Sequence, residues 1–287
     1  MGGPMARNLI NAGYSLTVND VNEAATAQHR ELGASWADTP RAVAEVSEVI
    51  FTSLPGPAEI EKVALGAQGI VHGLTKGAVY VDLSTGSPTA IRQIAERIEA
   101  AGAHLIDAPV SGGVIGADKG TLAVMVGGDP EVVERVRPLL EVLGSSVVYV
   151  GGVGSGSVAK LVHNAISMTT RIVIQEGMTL AVKAGVDPNT MLDVLRGASF
   201  GKQLVLSDHI PDLVLKGDFD HPRFSLGLSH KDVSLSLELA KEMNVPMSMV
   251  QMADEEIVCG IDRGWADRDN LVTFLLAEER AGVQVRE

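Results

Sequence analysis

Cysteine, aromatic residues and long apolar runs are all scarce in this chain, and each shortage removes a class of protein. Cys259 is the only cysteine, so no intrachain disulfide can form and a reducing, cytoplasmic setting is expected. No run of 18 or more apolar residues occurs, so no membrane span is expected. The first residues lack the basic stretch and apolar segment of a secretory signal, so none is expected. Basic residues number 23 against 36 acidic ones, and the formal charge of −13 argues against nucleic acid or an anionic membrane as a partner. An acidic protein can still carry a locally basic site, so small anionic substrates stay open. The seven histidines are scattered, with no His/Cys/Asp cluster at ligand spacing, so no metal is expected. A G-x-S-x-G nucleophile elbow is missing too.

What is present is small and apolar. Aromatics make up 3% of the chain, but there are 31 glycines and 46% hydrophobic residues, a mix that lets helices sit close to strands. The length of 287 residues favours two domains. In the first half, short apolar runs at Leu16–Asp20, Val49–Leu54, Val79–Leu83, Leu105–Asp107, Leu122–Val126 and Val147–Val150 read as strands. They alternate with helical patterns at Pro4–Ala12, Glu23–Leu32, Pro40–Val46, Ala58–Leu65, Ala90–Ala101 and Pro130–Leu143. Such alternation predicts βαβ units and a mainly parallel sheet. The pattern changes near Gly151. From Ser157 a helical stripe runs through Val158, Leu161, Val162, Ala165, Thr169, Ile172, Val173 and Leu180, about 28 residues against a usual 8–20. Helical patterns at Pro188–Arg196, Lys231–Met243, Pro246–Arg263 and Asn270–Glu279 follow. The expected domains are therefore 1–152, an α/β nucleotide-binding unit, and 153–287, an all-helical unit entered by a long connecting helix.

Two segments carry chemistry. Asp107-Ala108-Pro109-Val110-Ser111-Gly112-Gly113 offers a hydroxyl and two flexible backbone N–H groups after a strand, a set suited to a carboxylate. Gly154-Ser155-Gly156-Ser157-Val158-Ala159-Lys160-Leu161-Val162-His163-Asn164 puts an amine and an amide at i and i+4, on one face of a helix. His163 lies a step around that helix and reads as structural. A carboxylate cradle and an amine acid/base are the parts needed to oxidise a hydroxy acid or reduce its carbonyl partner.

The chain opens directly on a helix, Met1-Gly2-Gly3-Pro4-Met5-Ala6-Arg7-Asn8-Leu9, where a dinucleotide-binding unit begins with a strand and G-x-G-x-x-G. Only Gly2 matches the third glycine. The next strand ends at Asp20, an acid able to accept from the adenosine ribose diol and to repel a 2′-phosphate; with no arginine at Val21, NAD is expected over NADP. A competing match is Gly154-Ser155-Gly156-Ser157-Val158-Ala159, which fits G-x-G-x-x-A, follows a strand and has Glu176 20 residues beyond Gly156. The unbroken helical spacing through Leu180 argues against a nucleotide fold starting there.

With these motifs in order, together with Ser53-Leu54-Pro55, Asp82-Leu83-Ser84-Thr85, Gly120-Thr121-Leu122, Lys231-Asp232 and Gly264-Trp265-Ala266-Asp267-Arg268-Asp269, the chain resembles the β-hydroxyacid dehydrogenase family. The resemblance covers nearly the whole chain, and it begins at the Met of the family's Gly-Leu-Gly-x-Met-Gly motif. It implies a Rossmann-type sheet domain, here without its first strand, followed by a helical domain like that of 6-phosphogluconate dehydrogenase. It further implies Lys160 as general acid/base and Ser111, Gly112, Gly113, Asn164, Phe224 and Asp232 as substrate-site residues. Gly2, Asp20, Leu54, Pro55, Thr85 and Lys231 are the implied cofactor contacts, with Lys231 reaching across an interdomain cleft. Family members are oligomeric, which implies a homodimer or homotetramer.

The leading expectation is an NAD-dependent oxidoreductase acting on a small β-hydroxy acid or its semialdehyde. The alternative is a noncatalytic or cofactor-impaired homologue used as a binding or scaffold protein, motivated by the missing strand and glycine turn. The acyl portion of the substrate is left open by the sequence.

Overall fold

The computed structural model describes residues 1–286 and divides into two compact units, Met1–Ala165 and Ile166–Glu287. The first is α/β. Its elements run α1 (Gly2–Asn11), β1 (Thr17–Val18), α2 (Ala27–Glu31), β2 (Ser35–Trp36), α3 (Pro40–Glu45), β3 (Val49–Thr52), α4 (Pro57–Leu65), β4 (Val79–Asp82) and α5 (Pro88–Ala100). They continue with β5 (His104–Asp107), β6 (Val110–Ser111), α6 (Gly113–Lys119), β7 (Ala123–Gly127), α7 (Pro130–Leu143) and β8 (Ser146–Gly151). Helix α8 (Ser155–Lys183) starts in this unit and ends in the second.

The strands form two sheets. β1 and β2 pair in parallel by themselves, and six strands form the main sheet in the order β3-β4-β5-β7-β6, with β8 beside β7. β3, β4 and β5 are mutually parallel, as are β7 and β8. β7 runs antiparallel to β5 and β6. Every residue of β4 is buried, as expected of a parallel strand covered on both faces. The period of two assigns those faces. Val79, Val81, Ile106, Val124 and Val126 join a core with Met5 and Leu9 of α1 and Val132, Val136 and Leu140 of α7. Tyr80, Leu105 and Ile50 point the other way, into a core with Ile60 of α4 and Ile91, Ile94 and Ile98 of α5. Each fully buried aliphatic side chain contributes about 1.5–3 kcal/mol.

The helix starts follow the local chemistry. Thr39, Ser87 and Asp129 each accept a backbone N–H of the first turn, with proline next in sequence at Pro40, Pro88 and Pro130. The differences from expectation are local. β2 and β6 are two residues long and leave no period to detect. The helix expected over Glu23–Leu32 is a 3₁₀ turn, Glu23–Thr26, followed by α2. Helix α6 comes as an addition, entered through Gly112 and Gly113.

The second unit is helical. It comprises the remainder of α8, α9 (Pro188–Gly197), a π-helical stretch at Val205–Val214 that the sequence reading leaves unassigned, α10 (Leu226–Glu242), α11 (Ser248–Asp262) and α12 (Phe274–Ala281). Two small cores hold it: one around Leu180, Ala240, Val245 and Met247, the other around Val214, Phe219, Leu226 and Val272. Among the described residues no helix is long and apolar enough to cross a membrane.

Candidate functional site

The first chemical segment leaves β5 at Asp107 and turns through Ala108-Pro109 into β6, where Ser111 is half-buried and paired opposite Ala123 of β7. Gly112 (φ 135°) and Gly113 (φ 64°) then turn the chain into α6, in a backbone region that residues with a Cβ rarely adopt. Both glycines are exposed.

The second segment is the start of α8, and it is tied to the first by one side chain. The Asp107 carboxylate is wholly buried. Gly154 N–H donates to its Oδ1 at 2.7 Å and Ser157 N–H to its Oδ2 at 2.6 Å. These are first-turn N–H groups with no partner inside the helix. A carboxylate from a neighbouring strand caps α8, where a ligand anion sits at other helix N-termini. Two glycines make room. A Cβ on Gly156 would lie 2.4 Å from the backbone oxygens of Asp107 and Met125, and one on Gly127 would lie 2.5 Å from Asp107 Oδ1. Burial pushes the Asp107 carboxyl above the usual carboxylate range, and the two N–H donors oppose that shift.

Lys160 follows on the second turn. It is only 8% exposed, and among the described residues no carboxylate pairs with it. Desolvation lowers its pKa from the ordinary 10.5, the direction needed for an amine that takes and returns a proton. Asn164, half-buried, is one turn further on the same face. His163, read from the sequence as structural, makes one side-chain contact. Its Nε2 lies 3.0 Å from Ser111 Oγ, so α8 touches the Ser111–Gly113 loop through this ring. A histidine at i+3 from the lysine is the one available signal, because i+3 and i+4 flank the same helix face.

The expected cofactor contacts cluster at strand ends. Asp20, just beyond β1, is exposed, and its Oδ1 accepts Asn22 N–H at 2.8 Å. Gly2 opens α1, which has no side-chain cap and no acid in its first turn. Half-buried Leu54 and exposed Pro55 follow β3, and exposed Thr85 follows β4. A buried network joins these two strand ends. Thr52 Oγ1 and Ser84 Oγ donate to Asp82 Oδ1 at 2.7 and 2.6 Å, and Tyr80 OH lies 3.0 Å from Thr52 Oγ1. Leu54 N–H donates to Ser84 Oγ at 2.8 Å. Since each hydroxyl spends its proton toward Asp82, Tyr80 is the donor to Thr52. Desolvation raises the Asp82 pKa, and the bonds from Ser84 and Thr52 act against it. Sequence reading passes over Asp82 and Asp107 as supports; an acid ending each of two buried strands is the signal for both.

In the second unit, Lys231 and Asp232 are exposed neighbours on α10 with Nζ and Oδ1 2.9 Å apart. Phe224 is 39% exposed. Its backbone N–H donates to the buried Asp269 carboxylate, which also accepts from Arg223 and Leu271.

Comparison with known proteins adds an independent line. Residues 1–151 match the model of the NAD binding domain of 6-phosphogluconate dehydrogenase. Residues 154–274 match that of the NAD-binding domain of NADP-dependent 3-hydroxyisobutyrate dehydrogenase. The chain is 35% identical to 2-(hydroxymethyl)glutarate dehydrogenase of Eubacterium barkeri, over 99% of this chain and 94% of that one. It is 38% identical to 2-hydroxy-3-oxopropionate reductase of Escherichia coli K12, over 86% and 84% of the two chains. Among solved structures, the Mycobacterium tuberculosis 3-hydroxyisobutyrate dehydrogenase with L-serine superposes with a TM-score of 0.66 at 27% identity, covering 96% of this chain and 95% of that one.

Proposed function

The chain belongs to the NAD(P)-dependent β-hydroxyacid dehydrogenase family, and from that premise we propose that it interconverts a small β-hydroxy acid and its semialdehyde using NAD, with Lys160 as the general acid/base. The observation that carries this reading is the buried, unpaired Lys160 beside Asn164 on a helix that reaches the Ser111–Gly113 loop through His163. In the oxidative direction the neutral Lys160 amine accepts the substrate hydroxyl proton at Nζ. In the reductive direction the ammonium returns it to the carbonyl oxygen. Asn164 holds the reacting oxygen, and Ser111 with the Gly112 and Gly113 N–H groups holds the carboxylate. Phe224 and Asp232, the further substrate residues that the family resemblance implies, belong to the helical unit.

The strand-end residues fit a dinucleotide. Gly2 opens α1, whose first turn carries no acidic residue to repel a phosphate. Asp20 is exposed, with Oδ1 engaged by Asn22, and so can receive a ribose hydroxyl. Leu54, Pro55 and Thr85 stand at the carboxyl ends of adjacent parallel strands, where nucleotides bind in open α/β sheets. Lys231, the remaining cofactor residue that the family resemblance implies, is exposed on α10 of the helical unit. When bound, the nicotinamide supplies the hydride acceptor or donor. The choice of NAD over NADP rests on Asp20 and on the absence of a basic residue at Val21.

Assembly as a homodimer or homotetramer belongs to the same proposal, supported by exposed Ile166, Met168, Ile172 and Ile174 on α8. So does a cytoplasmic location, supported by the single cysteine. A panel of β-hydroxy acids assayed with NAD and NADP by cofactor absorbance tests the activity. Lys160→Ala should lose turnover by about 100- to 10,000-fold; near-normal turnover would refute the acid/base assignment.

A further inference from the structure

We infer that His163 is a positioning residue that turns the Ser111 hydroxyl proton toward the substrate carboxylate, an inference that rests on the dehydrogenase reading above. Ser111 is fixed by its strand pairing in β6, and His163 is fixed three residues beyond Lys160 on α8. Between them, Nε2 and Oγ are 3.0 Å apart, within hydrogen-bond range. No other hydrogen bond or ion pair engages the His163 ring among the described residues.

A serine hydroxyl has one proton, so this contact has two mutually exclusive forms. If Nε2 carries no hydrogen, Ser111 must donate to it, and the serine then turns only lone pairs toward an arriving carboxylate. If Nε2 carries a hydrogen, it donates to Ser111 Oγ, and the serine proton is free for the carboxylate. Only the second form makes Ser111 a donor to an anion. Accepting from the imidazole also polarises that hydroxyl and strengthens its outgoing bond. Nothing else described fixes the ring in the opposite tautomer. His163 therefore acts on substrate through Ser111, and not on the reacting atoms, which are left to Lys160 and Asn164. The ring is exposed, so its replacement leaves the fold's cores untouched.

The test is a kinetic double-mutant cycle on His163 and Ser111, with 3-hydroxyisobutyrate, 2-(hydroxymethyl)glutarate and L-serine as probes and NAD as cofactor. His163→Ala should raise the KM of the accepted hydroxy acid about three- to tenfold, the size of losing one neutral hydrogen bond, because the serine proton stays available but is no longer oriented or polarised by the ring. Its kcat and the KM for NAD should change less than threefold. Ser111→Ala should raise the same KM, and adding His163→Ala to it should cost less than a further twofold. His163→Gln, whose amide nitrogen can stand where Nε2 stands, should recover most of the loss. Independent, multiplying effects of the two alanine variants, or an equal fall in kcat, would overturn the positioning role while leaving the dehydrogenase reading intact. A wild-type protein inert on all three acids that also fails to bind NADH would overturn that reading and this inference together.

Discussion

Replacing Asp107 by asparagine isolates the device that holds the start of α8 to the end of β5. In the native protein both carboxylate oxygens accept, one from Gly154 N–H and one from Ser157 N–H. Asparagine keeps one acceptor oxygen and turns an NH₂ toward the other N–H group. One buried donor then has no partner, at a cost of about 1–3 kcal/mol. Losing a negative charge at a helix N-terminus adds roughly 0.3–1 kcal/mol. Relief of the buried charge, the effect that raises the Asp107 pKa, offsets part of this. The net expectation is a loss of about 1–3 kcal/mol, or roughly 2–12 °C in Tm at about 2–4 °C per kcal/mol for a unit of this size. The functional effect should exceed the stability effect. Lys160 lies on the second turn of α8; if it is the acid/base of the proposed reaction, a small tilt of the helix moves its Nζ off the reacting oxygen, and kcat should fall about tenfold or more below the melting transition. Calorimetry and steady-state turnover on the same preparation check both numbers. A variant within 0.5 °C of wild type in Tm and unchanged in kcat would refute the reasoning.

Three further outcomes follow from the same geometry. Lys160→Met should raise Tm at neutral pH while abolishing turnover, because burial lowers the lysine's pKa and so penalises the ammonium in the folded state. That gain should shrink as pH rises from the lowered folded value toward 10.5, where the unfolded lysine loses its proton too; a constant gain across that window in a thermal-melt series would contradict it. Asp82→Asn should flatten one component of the pH–stability curve. The wild-type carboxyl holds its proton to higher pH when folded, so wild-type stability relative to the variant should decline as pH rises from about 4 through the raised folded value, measured by denaturant titration. Gly156→Ala should destabilise by about 1–3 kcal/mol or more, since its Cβ meets two backbone oxygens at 2.4 Å, and a neutral effect in a urea melt would refute that close approach.

Much of the fold was legible because its signals are periodic. The strands at Val49, Val79, Leu105, Leu122 and Val147 and the 29-residue α8 all carry a repeated apolar pattern long enough to read. The misses lack such a pattern. β2 and β6 are too short for alternation, and α6 is a seven-residue helix whose entry through Gly112 and Gly113 resembles an ordinary turn. At the site, the i, i+4 spacing of Lys160 and Asn164 was enough to put both on one face of α8. The Ser111–His163 contact was not legible, because it joins residues 52 positions apart and depends on how β6 meets α8.

The Gly154-x-Gly156-x-x-Ala159 match shows how a motif can be physically true and functionally misleading. A G-x-G-x-x-A turn binds pyrophosphate because glycine allows close approach and the helix N-terminus offers unpaired N–H groups to an anion. Both conditions hold here, since Gly156 lies against backbone oxygens and the N–H groups of Gly154 and Ser157 point at an anion. The anion is Asp107, supplied by the protein itself. With the N–H groups already engaged, an external phosphate would have to displace a buried carboxylate, and α8 is instead anchored to the end of β5. The same local chemistry that fastens a cofactor elsewhere is used here to fasten Lys160. A nucleotide reading of this turn therefore fails on occupancy, while the glycines that suggested it remain necessary for the anchor.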